Sequence, residues 1–209
     1  PIIGAEMYVA YERMDQKRPR IDDKRYHLTV IAQNAEGYYN LLKLVTKSHL
    51  EGFYYKPRID KELLRSHAKG LIALSGCFAG EIARAIERKN LDLALRLISE
   101  YQDIFGKENF YLEIMPHFNF EGQRAANEAL AALSRKTGAK LVATNDIHYV
   151  RPEDAEAQDI LVSVQTNSNF TDENRLSMRR ANLSMRGAEE MAALFPDHPE
   201  AIAHTREIA

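Results

Sequence analysis

The segment Leu141-Val-Ala-Thr-Asn-Asp-Ile-His-Tyr149 carries the most pointed chemistry in the chain. An apolar run leads into Asn-Asp-x-His, and side chains two apart on a strand share a face. Asp146 and His148 are therefore expected to converge at the carboxyl end of a strand, where α/β barrels build their sites. A carboxylate oxygen beside an imidazole nitrogen suits zinc, manganese or iron. The competing reading makes Asp146 a cap for the next turn and His148 an ordinary polar residue.

Four further candidates stand in similar places. Glu6 interrupts the apolar run Ile-Ile-Gly-Ala-Glu-Met-Tyr-Val, and a carboxylate there needs a partner, because burying an unpaired charge is costly. His27 opens the run His-Leu-Thr-Val-Ile-Ala. Cys77 follows Leu71 to Ser75 through Gly76, which allows a tight bend, and His117 follows Phe110 to Ile114. Taken singly, a lone cysteine is more often a small buried hydrophobe and a lone histidine a surface residue. Taken together, four runs contain or lead into a possible ligand, and His27 joins them from the start of its own. His49, His67, His198 and His204 have charged or polar neighbours and read as solvated. Arg175, Arg179, Arg180 and Arg186 form either a phosphate-binding stripe or a solvated face. Tyr54-Tyr-Lys-Pro-Arg58 either stacks on bases or anchors a loop. No phosphate-cradling P-loop and no G-x-S-x-G elbow occur.

These residues need a scaffold, and the periodicity supplies one. Strands are expected at Ile2–Val9, His27–Ala32, Leu71–Ser75, Phe110–Ile114 and Leu141–Thr144. Helices are expected at Gly37–Ser48, Glu81–Arg88, Leu91–Phe105, Glu121–Thr137, Glu153–Val164, Ala188–Phe195 and from Pro199 onward, with Thr171-Asp-Glu-Asn174 a loop or cap. Strands separated by helices imply a parallel α/β sheet or barrel over residues 1–150, followed by a mainly helical segment, 151–209. The 209 residues are 45% hydrophobic and 28% charged, the composition of a globular chain that can bury a sizeable core. A formal charge of −2 announces no overall basic field for nucleic acid. The single cysteine rules out an internal disulfide, which fits a reducing cytoplasm, and no run is long enough to span a membrane. Both ends read as fragment boundaries.

On several of these stretches the sequence resembles the PHP (polymerase and histidinol phosphatase) domain of bacterial DNA polymerase III α subunits. The matching stretches are Pro-Ile-Ile-Gly-x-Glu-x-Tyr-Val-Ala at the start, His27 to Leu41, Glu51 to Asp60, Gly70 to Glu81 and Ala143 to Tyr149. The resemblance covers essentially the whole chain. It implies a distorted, TIM-like β/α barrel with a metal cluster at its mouth. It assigns Glu6, His27, Cys77, Asp146 and His148 to five ligand positions and leaves His117 near the site without a ligand role. The family's earlier His-x-His and Thr-Asp-His motifs precede the position of Glu6, so the barrel is expected to be incomplete on its N-terminal side, metal binding weakened and stability low in isolation. The run Arg175 to Arg186 departs from the family's more acidic and aromatic pattern.

The resemblance also implies a function. Divalent ions, zinc or manganese, would support phosphodiester hydrolysis and hence 3′–5′ proofreading in a replicative DNA polymerase. The polymerase reaction and its magnesium would lie outside this chain. Partners would be DNA and other replicase subunits, with no membrane. A second reading makes the domain a silent scaffold that docks a separate proofreading exonuclease subunit. A third, a free-standing phosphatase of small phosphate esters, fits the Glu51 to Asp60 neighbourhood less well.

Overall fold

The computed structural model describes every residue from Pro1 to Ala209 except Glu173, Met178 and Arg180. It is a mixed α/β fold around one open six-stranded sheet. The strands are β1 (Gly4–Ala10), β2 (Arg25–Ala32), β3 (Arg58–Ile59), β4 (Leu71–Leu74), β5 (Phe110–Ile114) and β6 (Lys140–Ala143). The helices are α1 (Ala35–Leu50), α2 (Lys61–His67), α3 (Glu81–Glu87), α4 (Leu91–Phe105), α5 (Gln123–Thr137), α6 (Ala155–Thr166), α7 (Ala188–Leu194) and α8 (Pro199–Ile208). In space the strands run β3-β1-β2-β4-β5-β6.

The sheet is not wholly parallel, contrary to what the alternation of strands and helices suggests. β2 pairs antiparallel with both β1 and β4, whereas β1–β3, β4–β5 and β5–β6 are parallel. The link 11–24 contains turns and no helix, so it cannot make the crossover that a parallel return requires. The reversal sends the amino end of β2 to the edge where β4, β5 and β6 finish. His27, at the start of its strand, thereby joins residues that follow the ends of theirs.

Register divides the sheet into two faces. Met7, Val9, Leu28, Val30, Leu71, Ala73, Phe110, Leu112, Leu141 and Ala143 belong to the main core, which also takes in α1 through α5. The opposite face carries a smaller cluster of Ile72, Leu74, Tyr111 and Val142, with Ile31 and Ile208 of α8 against it. Glu6, Tyr8, His27 and Thr29 lie on this second face, since Glu6 pairs with Thr29 and Tyr8 with His27. His204 is not solvated as its neighbours suggest: it bonds the Leu141 carbonyl at 2.5 Å and meets Tyr111 edge-on at 5.9 Å.

Arg58 decides between the two readings of its segment. It is fully buried and donates to the carbonyls of Gly52, Asp22, Met14 and Gln16 at 2.7–3.1 Å, which makes it a loop anchor. In the arginine run, Arg175 and Arg186 are held by internal partners rather than lying in a stripe or a solvated face. Arg175 pairs with buried Asp159, and Arg186 donates to Asn145 and to Glu190. Arg179 is exposed, and Arg180 and Glu173 lie outside the described residues.

Candidate metal centre

Glu6, His27 and Cys77 meet at the sheet edge. One donor atom from each lies within 4.8 Å of the others, the span of a metal's ligand set. His27 Nδ1 stands 2.7 Å from Glu6 Oε1 and 3.5 Å from Cys77 Sγ. The loop after β4 is held against β2 to achieve this. Gly76 has φ +82°, and a Cβ there would come within 2.4 Å of the His27 carbonyl. The His27 amide in turn donates to Ala79 O at 3.2 Å.

The electrostatics fit a cation. Hydrogen bonding to Cys77, and secondarily to Glu6, pushes the His27 pKa up to about 10. The same contact holds Glu6 below the usual carboxylate range. A soft sulfur and a carboxylate thus both lie against His27 Nδ1, at the point where a divalent ion would take the place of its proton. This donor set suits zinc, with manganese or iron closer in character to the oxygen and nitrogen members.

Asp146 and His148 line the same cleft of about 390 Å³, together with Glu6, His27, Cys77 and His117. They converge for a different reason from the strand alternation expected. β6 ends at Ala143, and Asp146 takes a left-handed φ of +50° in the loop beyond. His148 Nδ1 bonds the Asp146 carbonyl at 2.8 Å, and the His148 amide donates to Leu183 O at 3.0 Å. A ring whose Nδ1–H is engaged by a carbonyl offers Nε2 as a lone-pair ligand. Burial raises the Asp146 pKa, and the charge of Glu6 adds to the rise.

Two buried groups lie close by, His117 in the cleft lining and Glu113 behind it beside Cys77 and Met115. Glu113 is 6% exposed and accepts from Thr144 Oγ1 at 2.6 Å, while its Oε2 has no partner among the described residues. Burial pushes its pKa up to about 7, with Asp146 and Glu6 contributing by repulsion. Glu113 is not among the sequence candidates, although a lone carboxylate in Phe-Tyr-Leu-Glu-Ile is the same signal that marks Glu6. His117 is 5% exposed, and neither ring nitrogen has a partner among the described residues. Burial, then the charges of Arg186 and His148, lowers its pKa to about 4.

An open α/β sheet with a mixed carboxylate, imidazole and thiol cluster at its edge has the form of a candidate metal-binding domain. Residues 1–117 match the PHP domain family, and the chain belongs to that family. It is 42% identical over 209 residues to the DNA polymerase III subunit alpha of Treponema pallidum, covering 100% of this chain and 18% of that protein. Against the subunit of the same name from Thermus aquaticus it is 45% identical over 199 residues, 94% of this chain and 16% of the relative. The Borreliella burgdorferi subunit is 44% identical over 210 residues, 100% of this chain and 18% of the relative. The chain therefore spans under a fifth of the length of these curated relatives. No helix among the described residues is long and apolar enough to cross a membrane.

Proposed function

We propose that this chain is the PHP region of a bacterial replicative DNA polymerase and that its cleft hydrolyses phosphodiesters at a DNA 3′ end with bound divalent metal. The observation that carries the reading is the meeting of Glu6, His27 and Cys77 donor atoms within 4.8 Å, in a cleft shared with Asp146 and His148. These five residues would hold the metal, zinc or manganese. Such ions, when bound, lower the pKa of a water and clamp the scissile phosphate. Glu113, its pKa pushed up to about 7, lies buried behind them, and His117 adds a buried imidazole to the cleft lining. Residues 151–209 belong to the same unit in this reading, supported by the packing of Ile208 of α8 beside Ile31 and Val142. Nucleotidyl transfer with its magnesium, the docking of other replicase subunits and a cytoplasmic location follow from the same assignment.

One observation favours a second reading. Glu6, His27 and Cys77 satisfy one another by hydrogen bonding, so the cluster is coherent without an ion. A silent scaffold that docks a separate proofreading exonuclease would use the domain in that way. Metal analysis of the intact polypeptide separates the two. Zinc or manganese is expected to copurify, and Asp146→Ala and Cys77→Ala are expected to lose metal and 3′-end hydrolysis while primer extension persists. Absence of both metals, with Asp146→Ala indistinguishable from the parent, establishes the scaffold instead.

A further inference from the structure

A second groove opens at the same sheet edge. It measures about 370 Å³ and lies between the start of β2 and α3. Its lining includes Lys24, Arg25, Tyr26, Arg84 and Arg88, with Asp23 as the one carboxylate. His27 and Arg84 line this groove and also the metal cleft, so the two adjoin.

We propose that this groove carries the phosphate backbone of a single DNA strand into the metal cleft. The inference deepens the hydrolytic reading and rests on it for direction: the 3′ end of the strand lies in the cleft. Three observations support it. The first is charge: four cations face one carboxylate in a chain whose formal net charge is −2. Arg84 pairs with Glu87 at 2.8 Å, whereas Lys24, Arg25 and Arg88 have no carboxylate within ion-pair distance among the described residues. The second is the company those cations keep. Lys24 lies over the Tyr11 ring at 5.7 Å, Arg25 over Tyr8 at 5.0 Å and Arg84 over Phe78 at 5.8 Å. Cations held against aromatic rings are the side-chain mix that tracks a single strand, with phosphates on the cations and bases beside the rings.

The third observation is the apolar wall of the cleft. Phe78, Met115, Phe120, Leu176 and Leu183 line it together with the donor residues. Its volume of about 390 Å³ falls in the range of small-ligand sites, about 300–1,000 Å³, and suits one terminal nucleotide rather than a paired end. A base against that wall places its phosphodiester toward the donors, and the preceding phosphates enter the groove. An acidic protein segment would answer the charges but would leave the rings and the shared boundary with the donor cleft without a role.

Photocrosslinking tests this without requiring hydrolysis. A single-stranded oligonucleotide with 5-iodouracil near its 3′ end is irradiated with the intact polypeptide, and adducts are mapped by mass spectrometry. Adducts are expected on Tyr8, Tyr11 or Phe78 in both the parent and Asp146→Ala. The double variant Lys24→Glu/Arg88→Glu alters two exposed side chains and is expected to keep the parent's melting temperature. In it those adducts should fall severalfold, and the slope of log affinity against log salt should become shallower by about 1 per removed cation. Adducts without hydrolysis keep the groove and end the nuclease reading. Hydrolysis with an unchanged KM in the double variant keeps the nuclease and ends the groove. Protection of residues 23–27 and 84–88 from exchange by a replicase subunit, but not by the oligonucleotide, also overturns the proposal.

Discussion

Arg58 and the pair Glu113 and His117 are buried to nearly the same degree, at 0%, 6% and 5% exposure, yet their surroundings treat them oppositely. Arg58 places its N–H groups on four carbonyls and ties the 11–24 link and the end of α1 to β3. Glu113 keeps one oxygen, and His117 both nitrogens, without a partner among the described residues. A buried polar group whose bonds are all made is architecture. One whose bonds are left open costs stability, and its retention beside metal-type donors marks the region as built for something other than packing.

The contrast breaks most visibly at Arg58. Arg58→Met strips partners from four carbonyls and is expected to cost about 4 kcal/mol in chemical denaturation. The metal content of the protein that remains folded should be unchanged. A small loss would mean that water replaces the guanidinium and that the anchor is not structural.

Glu113 comes next, through pH. Its folded pKa of about 7 lies above the ordinary 4.5, so its contribution is fully present below about pH 4.5 and is lost as pH rises through 7. In metal-free protein, Glu113→Gln should flatten the stability profile across that window by up to about 3 kcal/mol. Parallel profiles for the two proteins would show that Glu113 is already ionised at the lower limit.

His117 sharpens the comparison from the other side. His117→Leu removes no hydrogen bond in the described structure and should change stability by less than about 1 kcal/mol. If its nitrogens meet the substrate, 3′-end hydrolysis falls about tenfold, the worth of one hydrogen bond in the transition state, with metal content intact. A large stability loss with hydrolysis preserved would move His117 into the same class as Arg58.

Much of the scaffold was legible locally. Leu91 to Phe105 and Phe110 to Ile114 were bounded as they stand, because apolar spacing and the adjoining Asn90 and Gly106 mark their ends. β3 and α2 were not foreseen. Two residues show no period, and the seven of Lys61–His67 span too few turns, although Asp60 caps them by accepting from Leu63 N at 2.9 Å. The five candidate ligands were named from residue type and family resemblance. Glu113 is not marked by period, because only its burial in the folded sheet sets its carboxylate apart.

From the sequence by itself came the kinds of element, the candidate donors and the family, since each depends on residue type and on neighbours a few positions away. The direction of β2, and with it the meeting of Glu6 and His27 with Cys77, belongs to tertiary structure. So do the loop route of Asp146 and the burial of Glu113. Each depends on pairings between residues far apart in the chain: β2 fits between β1 and β4 only reversed, and that reversal turns a strand's beginning into the edge of a site.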